Sequence, residues 1–199
     1  MLQIIFFFGG ILLYLHIFIH FKINSLNEFT TIDHIISKEK ILSSIYYKLP
    51  FVFDGTTVIK NLPENSKKTY TKTYENLPLL EPSVRFFTTD TIYKLKKGKE
   101  IKMHTNLECR NFYMVHSGKV DIYCIHPTMK DIDTKNIDNN ILRVELYPNS
   151  ILFVPNYWSV YVKASEKSVV EKVQYKTILN EINFLYNKYS KSNDSKQSK

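Results

Sequence analysis

The sequence predicts a mainly β domain, a sandwich, jelly roll or barrel, carried behind an N-terminal transmembrane helix. Three observations carry this reading. From Val84 onward, short apolar stretches recur at about ten-residue spacing between turn-forming residues, the rhythm of an all-β domain. Within them the side chains alternate at period two, as in Val120-Asp121-Ile122-Tyr123-Cys124-Ile125 and Leu142-Arg143-Val144-Glu145-Leu146-Tyr147, so each strand turns one apolar face inward. Finally, no charged side chain precedes Lys22.

Taken in order, the first element is "MLQIIFFFGGILLYLHIFIHFK", in which Leu2 to Phe21 supplies about 20 helix-compatible residues, roughly the 30 Å of a bilayer core. A basic n-region and a small-x-small cleavage site are missing, so the stretch reads as an uncleaved anchor over residues 1–22 rather than a signal peptide. Lys22, Lys38 and Lys40 follow it, which by the positive-inside rule places the remaining chain on the cytoplasmic side of a single-pass membrane protein. His16 and His20 fall four apart on one helix face and, with no acidic partner in the segment, read as interfacial or helix-packing residues.

Next, "ISKEKILSSIYYKLPFVFDG" opens a helix-strand unit over residues 23–60. Ser37 is an N-cap, Ile41, Leu42 and Ile45 give helical spacing over about Ser37 to Lys48, and Pro50 stops the helix before a buried "FVF" strand that turns at Asp54-Gly55. Residues 61–82 are polar and proline-punctuated, a connecting loop. The β core follows over 83–176: "VRFFTTD", "TIYKL", "NFYMVHSG", "KVDIYCIHP", "NILRVELYPNS", "ILFVPN", "WSVYVKAS" and "SVVEKVQYK" read as strands, with turns at Ser117-Gly118, Pro148-Asn149 and Pro155-Asn156. The insertion "TMKDIDTKNIDNN" lacks the central Gly and closing Glu of a calcium loop and reads as a solvated hairpin loop. Ile178, Ile182, Leu185 and Tyr189 share one face of a terminal helix over 177–190, and 191–199 is a polar tail.

Composition narrows the classes. The 199 residues, 44% of them hydrophobic, suffice for one compact domain with peripheral segments. The net charge of +8 is carried by scattered lysines such as Lys38, Lys60, Lys67 and Lys94, which reads first as a solvated basic surface and second as a face for a phosphate-rich partner such as lipid headgroups or nucleic acid. There is no nucleic-acid-binding motif, so nucleic acid is not the expected partner, while a protein or an anionic small molecule is. Two cysteines, Cys109 and Cys124, make no disulfide framework and fit a reducing compartment.

The order of these pieces resembles the cupin-like branch of the JmjC family, and the lysine-, asparagine- and isoleucine-rich style is similar to cupin-like proteins of large DNA viruses. The helix-strand unit looks like the family's opening block. "HTNLECRNFYMVHSGKVDIYCIHP" is similar to its H-x-D, Asn, Gly and strand-ending-in-Pro succession, and "LYPNSILFVPNYWSVYV" to its P-G-D-x-L-F-I-P-x-x-W-W-H-x-V. The resemblance spans roughly residues 30 to 190 and implies a double-stranded β-helix. Active members are Fe(II) and 2-oxoglutarate oxygenases that hold iron on two imidazoles and a carboxylate.

Carried over position by position, the resemblance puts the ligands at His104, Asn106 and Val160. An amide neither offsets the ion's charge nor binds it as strongly, and valine offers no lone pair. The weak candidate for the lysine that anchors 2-oxoglutarate is Lys119, one position early after Gly118. The expectation is therefore a degenerate member without metal, cofactor or catalytic residues, a membrane-anchored binding or scaffolding module. The alternative is a JmjC-type hydroxylase with relocated ligands, Glu108 as the carboxylate and His116 or His126 as the imidazole. Lys102, His104 and Arg110 could line a mouth that attracts an anion. A sugar-, lipid- or nucleotide-binding barrel that never used metal is the third possibility, decided by whether Phe112, Met114, Phe153, Trp158 and Tyr161 fill its interior.

Overall fold

The computed structural model describes residues 2–21, 32–35, 37–55, 87–129, 141–177 and 180. In chain order these form α1 (Leu2–Phe21), β1 (Asp33–Ile35), α2 (Lys38–Tyr47), β2 (Phe51–Asp54), β3 (Phe87–Leu95), β4 (Glu100–Thr105), β5 (Arg110–Ser117), β6 (Val120–Ile125), β7 (Leu142–Leu146), β8 (Ser150–Pro155), β9 (Ser159–Ala164) and β10 (Ser168–Lys176). The connecting loop expected over 61–82, most of the polar insertion, the terminal helix apart from Thr177 and Asn180, and the tail lie outside the described residues.

The strand pairing can be read as one long antiparallel ribbon. β3 pairs with β10, β4 with β9, β5 with β8 and β6 with β7, each pair nested inside the one before. The ribbon is rolled so that β10 also pairs with β5 and β9 with β6. Two sheets result, β3-β10-β5-β8 extended by β2 and β1, and β4-β9-β6-β7. All pairs are antiparallel except β1 with β2, and the nested order is that of a jelly roll.

Two expectations about strands are corrected. "VRFFTTD" and "TIYKL" are not separate strands: β3 runs unbroken through Thr88-Thr89-Asp90-Thr91, paired residue for residue with β10. Threonine is a good strand former, and the long partner ladder carries the single aspartate through. β4 was not expected as a strand because it is polar and mostly exposed, an edge strand with no continuous apolar face.

The core has two compartments. Between the sheets, Tyr113, Val115, Leu152, Val154 and Val170 meet Val120, Ile122, Val144, Leu146, Val160 and Val162, with Trp158 at one end. On the other face of the larger sheet, Phe112, Met114, Phe153, Val173 and Tyr175 pack under Ile41 and Ile45 of α2 and against Phe51 and Phe53. Phe112, Met114 and Phe153 are thus not interior residues of the roll, and Tyr161 lies half-buried on the outside of the smaller sheet with its ring 5.6 Å from Tyr123. The reason is that β5 and β8 are covered on both faces, so both alternate sets are apolar and the pattern no longer marks the inside.

α2 reaches that outer face because its sequence allows it. Ser37 Oγ accepts the Lys40 N–H at 3.2 Å, and Ile41, Ser44, Ile45 and Lys48 place one buried stripe against the sheet. Lys48 ends the helix at φ 59°, its N–H donating to the Ile45 carbonyl. Its side chain is buried, and that burial lowers the ammonium to about 8.

α1 is 20 residues long, and its described apolar side chains are exposed, Phe6 at 72% and Leu12 at 68%. His16 and His20 lie outside the described side chains, whose unbroken run in α1 covers only 3–15. Among the described residues no helix is long and apolar enough to cross a membrane.

Two glycines allow a direct test of the turns. Gly118 has φ 78°, and a Cβ there would overlap the Lys167 carbonyl and Ser168; Gly98 has φ 76° but open space around it. Gly98→Ala should cost only the left-handed penalty, about 1–2 kcal/mol. Gly118→Ala should cost on the order of 3 kcal/mol or more, because backbone must also move. Urea unfolding midpoints of the two variants check the ordering.

Candidate functional site

The site begins with an irregularity. In the β4–β9 ladder Ile101 pairs with Val162 but His104 with Val160, so three steps on β4 match two on β9. The extra residue is a bulge, and it lets both Ile101 and His104 turn inward although their spacing is odd. His104 and Val160, two of the positions that the family resemblance singles out, are therefore direct neighbours across the ladder.

The third position follows the end of β4. Asn106 is fully buried, and its backbone is stitched to the Pro155–Trp158 corner: its N–H donates to the Trp158 carbonyl at 2.9 Å and its carbonyl accepts the Tyr157 N–H at 2.6 Å. Its side-chain Oδ1 accepts the Tyr113 hydroxyl at 3.0 Å, while its Nδ2 is buried and has no partner among the described residues.

Lys172 completes the cluster. It sits in the middle of β10, opposite Tyr113 of β5, and is 5% exposed. Its Nζ lies 3.0 Å from His104 Nε2 and 5.4 Å from the centre of the Tyr113 ring. His104 Nδ1 is 3.1 Å from the Lys102 carbonyl, which can only accept, so the proton of a neutral imidazole belongs on Nδ1 and Nε2 offers its lone pair to the ammonium. Tyr113 Oη is also 3.0 Å from Nε2, but its one proton serves Asn106.

The electrostatics agree with that assignment. Burial, and next the Lys172 cation, lower the His104 imidazole below its ordinary value. Burial lowers Lys172 to about 8, partly offset by the carboxylate of Glu108, itself buried. Tyr113 is pushed well up by burial and stays a neutral donor.

These residues do not fit Fe(II). An ion at His104 Nε2 would have to displace a cation, and it would then meet an amide already holding Tyr113 and a valine without donors. Nor does the structure bring the relocated ligands together. His116 lies beside Glu171 at 2.7 Å on the α2 side of the larger sheet. His126 is buried edge-on against Trp158, with Nδ1 accepting the Thr128 N–H at 3.2 Å. Among the described residues no group of three His, Cys, Asp or Glu side chains is placed to hold a metal ion. Lys119 is at the far end of the roll, its Nζ 2.8 Å from Glu145 and over the Tyr147 ring. Lys102 contributes its carbonyl while its side chain is exposed. Cys109 and Cys124 are free and buried.

Lys172 and Tyr113 are the residues that sequence reasoning missed. A signal existed: Glu171-Lys172 interrupts the apolar run Val169-Val170 and Val173 in a strand buried at every position but Gln174 and Lys176, and a charge in such a place demands a partner.

No protein-family model matches the sequence, and no curated protein matches it. Among solved structures, 44% of the chain is similar to YcfD, a ribosomal oxygenase from Escherichia coli in complex with cobalt and succinic acid, at 18% identity and TM-score 0.38 over 23% of that chain. Another 44% match is to Drosophila melanogaster CENP-C bound to CAL1, at 8% identity and TM-score 0.35 over 60% of that chain. The matched segment spans less than a quarter of the first protein's length and less than two thirds of the second's. Likeness this weak carries no argument, and the fold rests on the strand pairing.

Lys172 makes stability depend on pH. Its folded value of about 8 lies below the ordinary 10.5, so the cost of burying the cation is fully present below pH 8 and fades as pH rises towards 10.5. The unfolding free energy of the wild type, taken relative to Lys172→Met, should therefore climb by on the order of 2–3 kcal/mol across that window. Paired urea titrations at pH 7.5 and 10.5 measure it; a flat difference would contradict a buried ammonium.

Proposed function

We propose that this chain is a membrane-tethered cupin-like domain, a double-stranded β-helix of the JmjC type, which lacks oxygenase activity and acts as a binding or scaffolding module. The observation that supports it best is the ammonium of Lys172 on His104 Nε2. The nitrogen that a metal would take is engaged by a cation of the protein's own, with Asn106 and Val160 at the other two positions. The jelly-roll strand order supports the fold part of the reading.

The tether is α1. Its exposed Phe and Leu side chains are costly in water, about 25 cal/mol for each Å² of apolar surface, and favourable in a bilayer. The lysines that follow it favour, by the positive-inside rule, a domain on the cytoplasmic side. Alkaline carbonate extraction should leave the full chain with the membrane, and added protease should reach the β domain only from the cytoplasmic face; release into the supernatant would end this part.

Metal titration tests the site. The wild-type chain should show no stoichiometric Co(II) absorption band and no turnover of 2-oxoglutarate with Fe(II). The variant Asn106→Asp/Val160→His/Lys172→Met, which restores two ligands and removes the competing cation, should gain a saturable Co(II) band. Micromolar stoichiometric binding by the wild type, with turnover, would sink the reading.

A further inference from the structure

The polar cluster has too few acceptors for its donors. An ammonium carries three N–H bonds and a primary amide two. Lys172 spends one on His104, leaving two, and Asn106 Nδ2 spends none, leaving two more. Of the facing acceptors, His104 Nε2 is taken by Lys172 and one of the two lone pairs of Asn106 Oδ1 by Tyr113, so the second Oδ1 lone pair and those of Tyr113 Oη are still on offer, fewer than the four free N–H bonds. Glu108, itself buried, acts on Lys172 through space, and among the described residues no carboxylate oxygen stands at ion-pair distance from the Lys172 ammonium. Buried donors without acceptors are rare because each costs its lost hydration, and here they lie on one connected network.

A missing acceptor with negative charge satisfies both groups at once. From this we infer that the cluster is a metal-independent receptor for a small oxoanion, a carboxylate or a phosphate, whose oxygens accept from the Lys172 ammonium and the Asn106 amide. The ammonium supplies the charge that iron would supply in an oxygenase, and the amide, which is a poor metal ligand, is a good anion donor. His104 positions Lys172: with Nδ1 fixed on the Lys102 carbonyl, Nε2 holds the ammonium at the inner end of β4. Thr91 of β3 pairs with Lys172 and is exposed, so solvent reaches the strand beside the cluster. This inference rests on the metal-free reading of the site.

Trp158 is the only tryptophan, and its carbonyl accepts the Asn106 N–H, so its fluorescence reports on the cluster. The full chain in nanodiscs with EDTA is titrated with malonate and, separately, with inorganic phosphate. A saturable change with either probe is expected, the responding probe naming the oxoanion class. Lys172→Met should weaken binding at least tenfold, and Asn106→Asp should abolish it by repulsion while circular dichroism and the unfolding midpoint show a folded domain. His104→Gln, which still offers an acceptor, should weaken it less than Lys172→Met. No saturable change with either probe, which would mean water alone meets the donors, overturns the inference, as does a response unaltered in Lys172→Met. Separate Co(II) titration of the same sample keeps the two readings apart: metal binding defeats the metal-free site itself, whereas absence of both metal and anion binding defeats the receptor alone.

Discussion

A rolled ribbon closes only when its last strand returns to the middle of a sheet, and β10 does this by pairing with β5 on one side and β3 on the other. Everything else in the β domain depends on that insertion. It joins the ends of the ribbon, covers Tyr113 and Val115, and carries Val173 and Tyr175 to the face that receives α2. Because its partners lie far away in sequence, closure must wait for long-range contacts. The strand that completes the fold is also the strand that brings Lys172 to His104, so the site exists only in the closed roll.

Such an arrangement explains how an ionisable cluster persists in an apolar interior. A buried ammonium alone would be a heavy cost; here it is held by an imidazole lone pair, by the face of an aromatic ring and by a nearby carboxylate. The imidazole in turn is oriented by a backbone carbonyl. The strain of the Trp158 corner, where Tyr157 takes φ 68°, belongs to the same construction, since its N–H secures the loop that presents Asn106.

Much of this was legible in the sequence, and the remainder was not for identifiable reasons. Turn chemistry was informative where one residue type is demanded: Gly118 and Asn149 both hold positive φ, and Ser37 caps its helix. Strand positions were readable wherever one face is polar, as in β6 and β7. Inside and outside were not readable in β5 and β8, where both faces are buried and Phe112, Met114 and Phe153 look no different from Tyr113 or Leu152. His104, Asn106 and Val160 could be picked out by their order along the chain. Their environment could not, because Lys172 arrives from nearly seventy residues away and no local pattern announces a partner that closure supplies.

The bulge in β4 has one more consequence, for how the chain tolerates change in length. Between Ile101 and His104 the strand already carries one residue more than its partner, and the ladder is regular again at Thr105 with Ser159. Deleting a residue within this interval would restore ordinary pairing and keep His104 facing inward, but it would shift the Lys102 carbonyl that orients the imidazole. A deletion beyond His104 would instead draw Asn106 away from the Tyr157–Trp158 corner. Loss of a residue is thus absorbed by the strand pairing on one side of the histidine and not on the other, so the β4 edge is a slack segment whose one fixed point is the carbonyl beneath the imidazole.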